Sequence, residues 1–242
     1  MAEFDRPTYA AGAGSAAVVD QGLRSYMLRV YNYMAGGLVL TGVVAYFFSQ
    51  WSVASEANMQ LVYASPLKWL IILAPLAFVM VLSFGIARMS AGAAQLTFWA
   101  FAAVMGLSLS SIFLVYTGTS IAKVFFISAA TFGAMSLYGY TTKRDLTAIG
   151  SFLFMGLVGI IIASLVNIFL ASSALAFGIS IIGVLIFVGL TAYDTQKIKL
   201  NYSASYGSDV LAKGAIMGAL SLYLDFINLF LMLLRLTGSQ RN

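Results

Sequence analysis

The chain contains no cysteine and no histidine, and these two absences remove most of the side-chain chemistry available near neutral pH. Without cysteine there is no disulfide, no thiolate nucleophile and no thiolate metal site. Without histidine there is no imidazole zinc site, no serine–histidine triad and no imidazole proton relay. Carboxylates remain as the side chains able to titrate near neutrality, and only in an unusual environment. Charge is scarce too. Only 9% of residues are charged while 61% are hydrophobic, a composition that cannot be wrapped around one water-soluble core. The net charge of +5 is spread among loops, with no run dense enough to hold nucleic acid.

What is present is a set of long apolar segments. With a spanning length of about 20 residues in mind, seven stand out, at 30 to 49, 69 to 87, 96 to 116, 121 to 140, 149 to 171, 175 to 193 and 214 to 234. Segments of this length must satisfy their own backbone groups in lipid, which helices do and isolated strands do not. The ten-residue alternation of a membrane barrel is missing. The expectation is an all-α integral membrane protein with seven transmembrane helices. Short polar gaps leave no room for a soluble domain of ordinary size. The expected organisation is a disordered tail over 1–22, without a cleavable signal peptide, a membrane domain over 23–236 and a short tail over 237–242. Pro75 lies inside the second segment and is expected to kink it.

Orientation follows from lysine and arginine in the short connections. With a cytoplasmic N-terminus, that side holds nine: Arg6, Arg24, Arg29, Arg88, Lys143, Arg144, Lys197, Lys199 and Lys213. The other side holds four: Lys68, Lys123, Arg235 and Arg241. Seven spans then leave the C-terminus outside. Asp145 reads as a cap at the start of helix 5, and Asn167 as an interhelical hydrogen bond.

Two carboxylates carry the strongest functional signal. The sixth segment ends in "FVGLTAYDTQKIKL", with Asp194 directly after an uncharged stretch. The seventh, "SLYLDFINLFLMLL", holds Asp225 near its middle. An ionised group at a bilayer centre costs at least ~2.5–3.5 kcal/mol, so it requires a reason. Gly218, Ser221, Asp225, Asn228 and Met232 recur at steps of three and four and share one stripe of a helix. That small, polar face belongs inside the bundle. The two segments are consecutive and antiparallel, which allows the carboxylates to meet. Two such groups with limited water cannot easily both ionise, so a close pair shares a proton and responds to pH. The pair also offers hard oxygen ligands, with Ser221 and Asn228 as supplements, suited to a calcium-like cation more than to a soft metal. A plainer alternative is that Asp194 sits at the membrane surface beside Lys197 while Asp225 hydrogen-bonds across helices for packing.

Three stretches, "GYTTKRDL" at 139–146, "VGLTAYDTQKIK" at 188–199 and "LSLYLDFINLFLMLLR" at 220–235, resemble the Bax inhibitor family of transmembrane proteins, its bacterial branch in particular. The resemblance implies a seventh helix placed centrally among the other six, in the bacterial cytoplasmic (inner) membrane. It also implies a calcium leak governed by pH, with calcium as the permeant or transiently bound ion and no cofactor. The aspartates of the "YD" and "LDFINLF" motifs, here Asp194 and Asp225, would form the hydrogen-bonded pair that senses pH and binds the ion. A basic residue at the end of the second helix, here Arg88, would engage the pair when the pore is shut. Some relatives carry a carboxylate within helix 2, and this chain has none between Trp69 and Ala87. The resemblance also admits a regulatory protein acting through a membrane partner, such as a membrane protease or the cell-death machinery. Intramembrane aspartyl proteases likewise use two aspartates on neighbouring helices. Their second aspartate follows a Gly-x-Gly pattern, whereas Leu222, Tyr223 and Leu224 precede Asp225 here, which argues against an enzyme.

Overall fold

The computed structural model describes the backbone of residues 10–241 and the side chains of residues 20–241. All seven apolar segments are helices: α1 (Ala10–Val53), α2 (Leu67–Gly85), α3 (Ala91–Leu109), α4 (Gly118–Thr141), α5 (Thr147–Leu170), α6 (Ser173–Leu200) and α7 (Ser208–Thr237). Each contains a stretch long and apolar enough to cross a bilayer. Among the described residues there is no strand. The chain is an all-α integral membrane protein.

The first helix begins earlier than its sequence suggested. Residues 10–22, expected as part of a disordered tail, continue α1. The run "AAGAGSAAVV" is rich in alanine, the best helix former, which offsets its lack of an apolar face. The first nine residues of the expected tail lie outside the described residues.

Local chemistry sets the helix ends. The Ser90 hydroxyl accepts from the Ala93 N–H at 3.2 Å, Thr117 from Ser120 at 3.3 Å and Ser172 from Leu175 at 3.3 Å. Each satisfies a donor that the first turn leaves free. The cap position of α5 is Leu146, not Asp145 as the sequence suggested, and Asp145 just before it accepts from the Thr147 N–H at 2.9 Å. Hydrogen bonds from the Thr147 side chain and backbone hold its carboxyl below the usual carboxylate range. Asn167 does something else than bridge helices. α5 stops at Ala171 in a left-handed conformation, φ 48°, and the Asn167 carboxamide oxygen accepts from the Ser172 N–H at 3.0 Å. It closes the turn into α6.

α7 is the most buried span. In its most apolar stretch 67% of residues are buried, against 11% in α2 and in α5. Its main packing partners are α1, α3, α4 and α6. Polar contacts pin these neighbours. Thr41 of α1 donates to the Ala102 carbonyl of α3 at 2.8 Å and lies 2.6 Å from the hydroxyl of Tyr223, which is fully buried on α7. Tyr31 of α1, Ser136 of α4 and Thr195 of α6 form a second chain, at 2.6 and 3.0 Å. α4 and α6 approach so closely that a Cβ at Gly139 would overlap the Ala192 backbone, which only glycine permits.

The loops that follow α2, α4 and α6 are tied to neighbouring helices. Lys199 Nζ donates to the last-turn carbonyl of Tyr140 at 2.7 Å, favourable at a helix C-terminus. Gln196 donates to the Arg144 carbonyl at 2.8 Å and accepts from the Leu146 N–H at 2.9 Å, fastening the α4–α5 loop onto α6. Asp209 accepts from the Ala91 N–H at 3.2 Å and pairs with Lys213 at 2.8 Å.

Candidate functional site

The register of α6 against α7 determines how near the two aspartates stand. A Cβ on Gly218 would meet Ile198 at 3.1 Å, and one on Gly183 would meet Met232 at 3.0 Å. Both contacts describe the same antiparallel alignment. It sets Asp194 opposite Ser221 and Leu222, one turn before Asp225. At ~1.5 Å per residue the two carboxylates are offset by about 5 Å along the bundle. No hydrogen bond joins the two among the described residues.

Their environments differ. Asp225 is 5% exposed, and its Oδ2 is buried without a hydrogen-bond partner. Asp194 is half-buried, and Lys197 lies one turn further along α6 with its Nζ 5.7 Å from the Tyr193 ring centre. Both aspartates line one cavity of ≈ 1250 Å³ walled by α2, α3, α5, α6 and α7. Pro75 lines it from α2. Pro75 has no N–H for the Ile71 carbonyl, the local cause of bending expected in this helix. The Tyr193 ring occupies the space in front of Gly150 on α5, which lets α5 close over that side.

A second cavity of ≈ 290 Å³ lies towards the α6–α7 turn, bounded by Tyr26, Asn201, Tyr206 and Gly218. Asp194, Lys197 and Ser221 line both cavities, so these three residues stand at the partition where the two adjoin, with Lys197 exposed at its edge. The polar stripe read from α7 does face inward: Ser221, Asp225, Asn228 and Met232 line the larger cavity, and Gly218 and Ser221 the smaller. Asn228 Nδ2 donates to the Leu224 carbonyl at 2.8 Å, leaving its Oδ1 as an acceptor.

Arg88 stands elsewhere. It is exposed in the turn after α2, where its N–H donates to the Gly85 carbonyl at 2.9 Å, and it does not line the cavity. The cation at the partition is Lys197. Its position three residues after Asp194 was visible in the sequence as a surface neighbour, but its place between two cavities was not. The Thr41–Tyr223 contact was also missed, because nothing in a sequence says that residues 182 apart will touch. Among the described residues no three His, Cys, Asp or Glu side chains cluster as a metal cage would require. Two carboxylates with a hydroxyl and an amide fall short of the six to eight oxygens of a tight calcium site.

Comparison with known proteins agrees with the motifs. The family profile described as "Inhibitor of apoptosis-promoting Bax1" matches residues 23–242. The inner membrane protein YbhL of Escherichia coli K12 is 52% identical over 223 residues, covering 91% of this chain and 94% of its own. An uncharacterized protein of Rickettsia prowazekii is also 52% identical, covering 92% of this chain and 93% of its own. An uncharacterized membrane protein of Streptococcus pyogenes is 39% identical, covering 90% and 94%. The match takes in every span and both aspartate motifs, so the chain belongs to the Bax inhibitor family of membrane proteins.

Proposed function

We infer that this chain is a pH-sensitive cation leak of the bacterial cytoplasmic membrane, with calcium as the permeant ion and Asp194 and Asp225 as its gate. The observation that carries the reading is the Asp225 carboxyl group, buried in a membrane-depth cavity with one oxygen lacking any partner. A buried charge without a partner costs several kcal/mol on any scale. Either a proton or a passing cation must therefore neutralise Asp225, and the two compete for the same oxygen. Low pH favours the proton and closes the site. Higher pH frees it for the cation.

Asp194, one turn away on the partition, receives the ion from Asp225 and passes it to the smaller cavity. Ser221 and Asn228 add oxygen ligands along α7. A cation on the protein completes the closed state, and Arg88 and Lys197 are the two candidates. Arg88 would have to move in from the α2–α3 turn, whereas Lys197 already borders both cavities. No step calls for bond making or breaking, and the bulky Leu222, Tyr223 and Leu224 before Asp225 do not suit proteolysis. An N-terminus in the cytoplasm, with the C-terminus outside, puts the smaller cavity on the cytoplasmic side.

The test is calcium flux into liposomes containing only this protein, followed with an entrapped indicator across a series of pH values. Flux that falls as pH falls, without any other protein, is the expected result. No flux at any pH from folded protein would overturn the leak and favour action through a membrane partner.

A further inference from the structure

A separate groove on the far side of α7 is unrelated to the aspartates. α1 and α4 both pack against α7 but hardly against each other. The gap between them is a groove of ≈ 730 Å³, floored by Phe226 of α7. α1 lines it from Arg24 to Val39, and α4 lines it from Tyr140 back to Phe125. Each helix thus contributes sixteen residues, and the fifteen steps between the first and last span ~22 Å at 1.5 Å per residue. One leaflet of hydrocarbon is about 15 Å deep. The groove therefore covers a leaflet's chain region and reaches headgroup depth at one end.

That end is basic. Arg24 stands at the mouth, exposed, and Asp20 one turn before it is not ion-paired with it among the described residues. On the α4 side of this end Lys199, which does not itself line the groove, holds the Tyr140 carbonyl with its Nζ 5.1 Å from the Tyr140 ring centre. Below the mouth the walls are almost wholly apolar. The exception is the Tyr31–Ser136 pair, whose hydroxyls satisfy each other. A basic mouth over an apolar trough, between helices on the cytoplasmic side, matches a phospholipid with an anionic headgroup. An extended protein segment would bring unsatisfied backbone groups to membrane depth, and an apolar partner helix, though it closes its own, would leave Arg24 at the mouth without a counter-charge.

We propose that the α1–α4 groove binds one anionic phospholipid, its headgroup on Arg24 and an acyl chain along Gly133 to Phe226. Gly133 supplies a selective probe. A Cβ added there meets nothing within 4 Å, so a side chain at this position starts from open space in the groove wall.

The full-length protein in detergent is titrated with dioleoylphosphatidylglycerol or dioleoylphosphatidylcholine, and bound lipid is counted by native mass spectrometry. The expected result is a preference of about fivefold for the anionic lipid, the effect of one basic residue at a charged headgroup. Arg24→Gln should abolish that preference, and Arg24→Lys should retain it. Gly133→Phe should lower binding of both lipids several-fold while circular dichroism stays unchanged. Equal binding of the two lipids by the unaltered protein, or a preference that survives Arg24→Gln, overturns the headgroup assignment. Undiminished binding by both Gly133→Phe and Gly133→Leu overturns the groove. A lipid-independent dimer that Gly133→Phe dissolves would make a second copy the occupant and overturn the proposal.

Discussion

Replacing Asp225 by asparagine removes one charge while preserving shape, and the surroundings of the two aspartates set how large the effect should be. Asp225 is 5% exposed with one oxygen unpartnered, so little water screens a cation beside it. A net contact with a charged group is worth about 1.5–3 kcal/mol, a factor of roughly 10 to 100 in occupancy. Half-maximal calcium flux in Asp225→Asn liposomes should therefore require roughly 10- to 100-fold more calcium. Asp194 is only half-buried and more strongly screened, so Asp194→Asn should cost less than about tenfold. Each change should also flatten the pH response between about pH 6 and 8, because the proton loses its competitor or its site. The double variant should add little to Asp225→Asn alone, since groups one turn apart act as a unit. The assay is initial flux against calcium at several pH values, with circular dichroism to certify folding. An unchanged calcium dependence and an unchanged pH profile in both folded single variants would refute the reasoning and leave Asp225 as a packing residue.

Other expectations rest on contacts away from the carboxylates. Lys197→Gln should raise flux at low pH if Lys197 is the closing cation, and Arg88→Gln should do so if Arg88 moves in; a basal leak unaltered in both would exclude a cation from closure. Thr41→Val should destabilise more than Tyr223→Phe. The Thr41 hydroxyl already donates to Ala102, so the Tyr223 hydroxyl is the donor of their shared contact. Losing Thr41 strands a buried donor, at ~1–3 kcal/mol, whereas losing the phenol removes a bond worth ~0.5–1.5 kcal/mol; thermal unfolding in detergent would read the order. Gly139→Ala should cost ~1–3 kcal/mol by overpacking, because its Cβ would meet the Ala192 backbone and not a movable side chain. Gly133→Ala, facing open space, should leave the melting temperature equal or higher.

The seven spans were legible because lipid imposes a rule that needs no partner. An apolar run of about 20 residues must close its own backbone hydrogen bonds, and only a helix does so within the run. The inward stripe of α7 was legible for a similar reason, since Ser221, Asp225 and Asn228 would otherwise face hydrocarbon. The Asp145 bond at the start of α5 involves neighbours two residues apart, and such local bonds are written in the order of the residues. Asn167 shows where that ends. Its amide suited either a neighbouring helix or its own turn, and the left-handed Ala171 that selects the turn could not be read from the sequence.

What only the tertiary structure decided was register and depth. The sequence by itself determined that Asp194 and Asp225 lie on adjacent antiparallel helices. It left their offset open, because helix tilt and the length of the 201–207 turn can absorb several residues. The contacts of Gly218 with Ile198 and of Gly183 with Met232 set that offset to one turn. They put Asp194, Lys197 and Ser221 on a partition between two cavities. Arg88 and Lys197 carry the same charge and both sit near helix ends, so composition and pattern treat them alike. Both are exposed, and only the fold separates them, leaving Arg88 in the turn after α2 and setting Lys197 at the edge of both cavities. The groove of α1 and α4 was invisible for the same reason. Each helix face reads as ordinary lipid-facing surface, and only the distance between the two faces makes a trough of them.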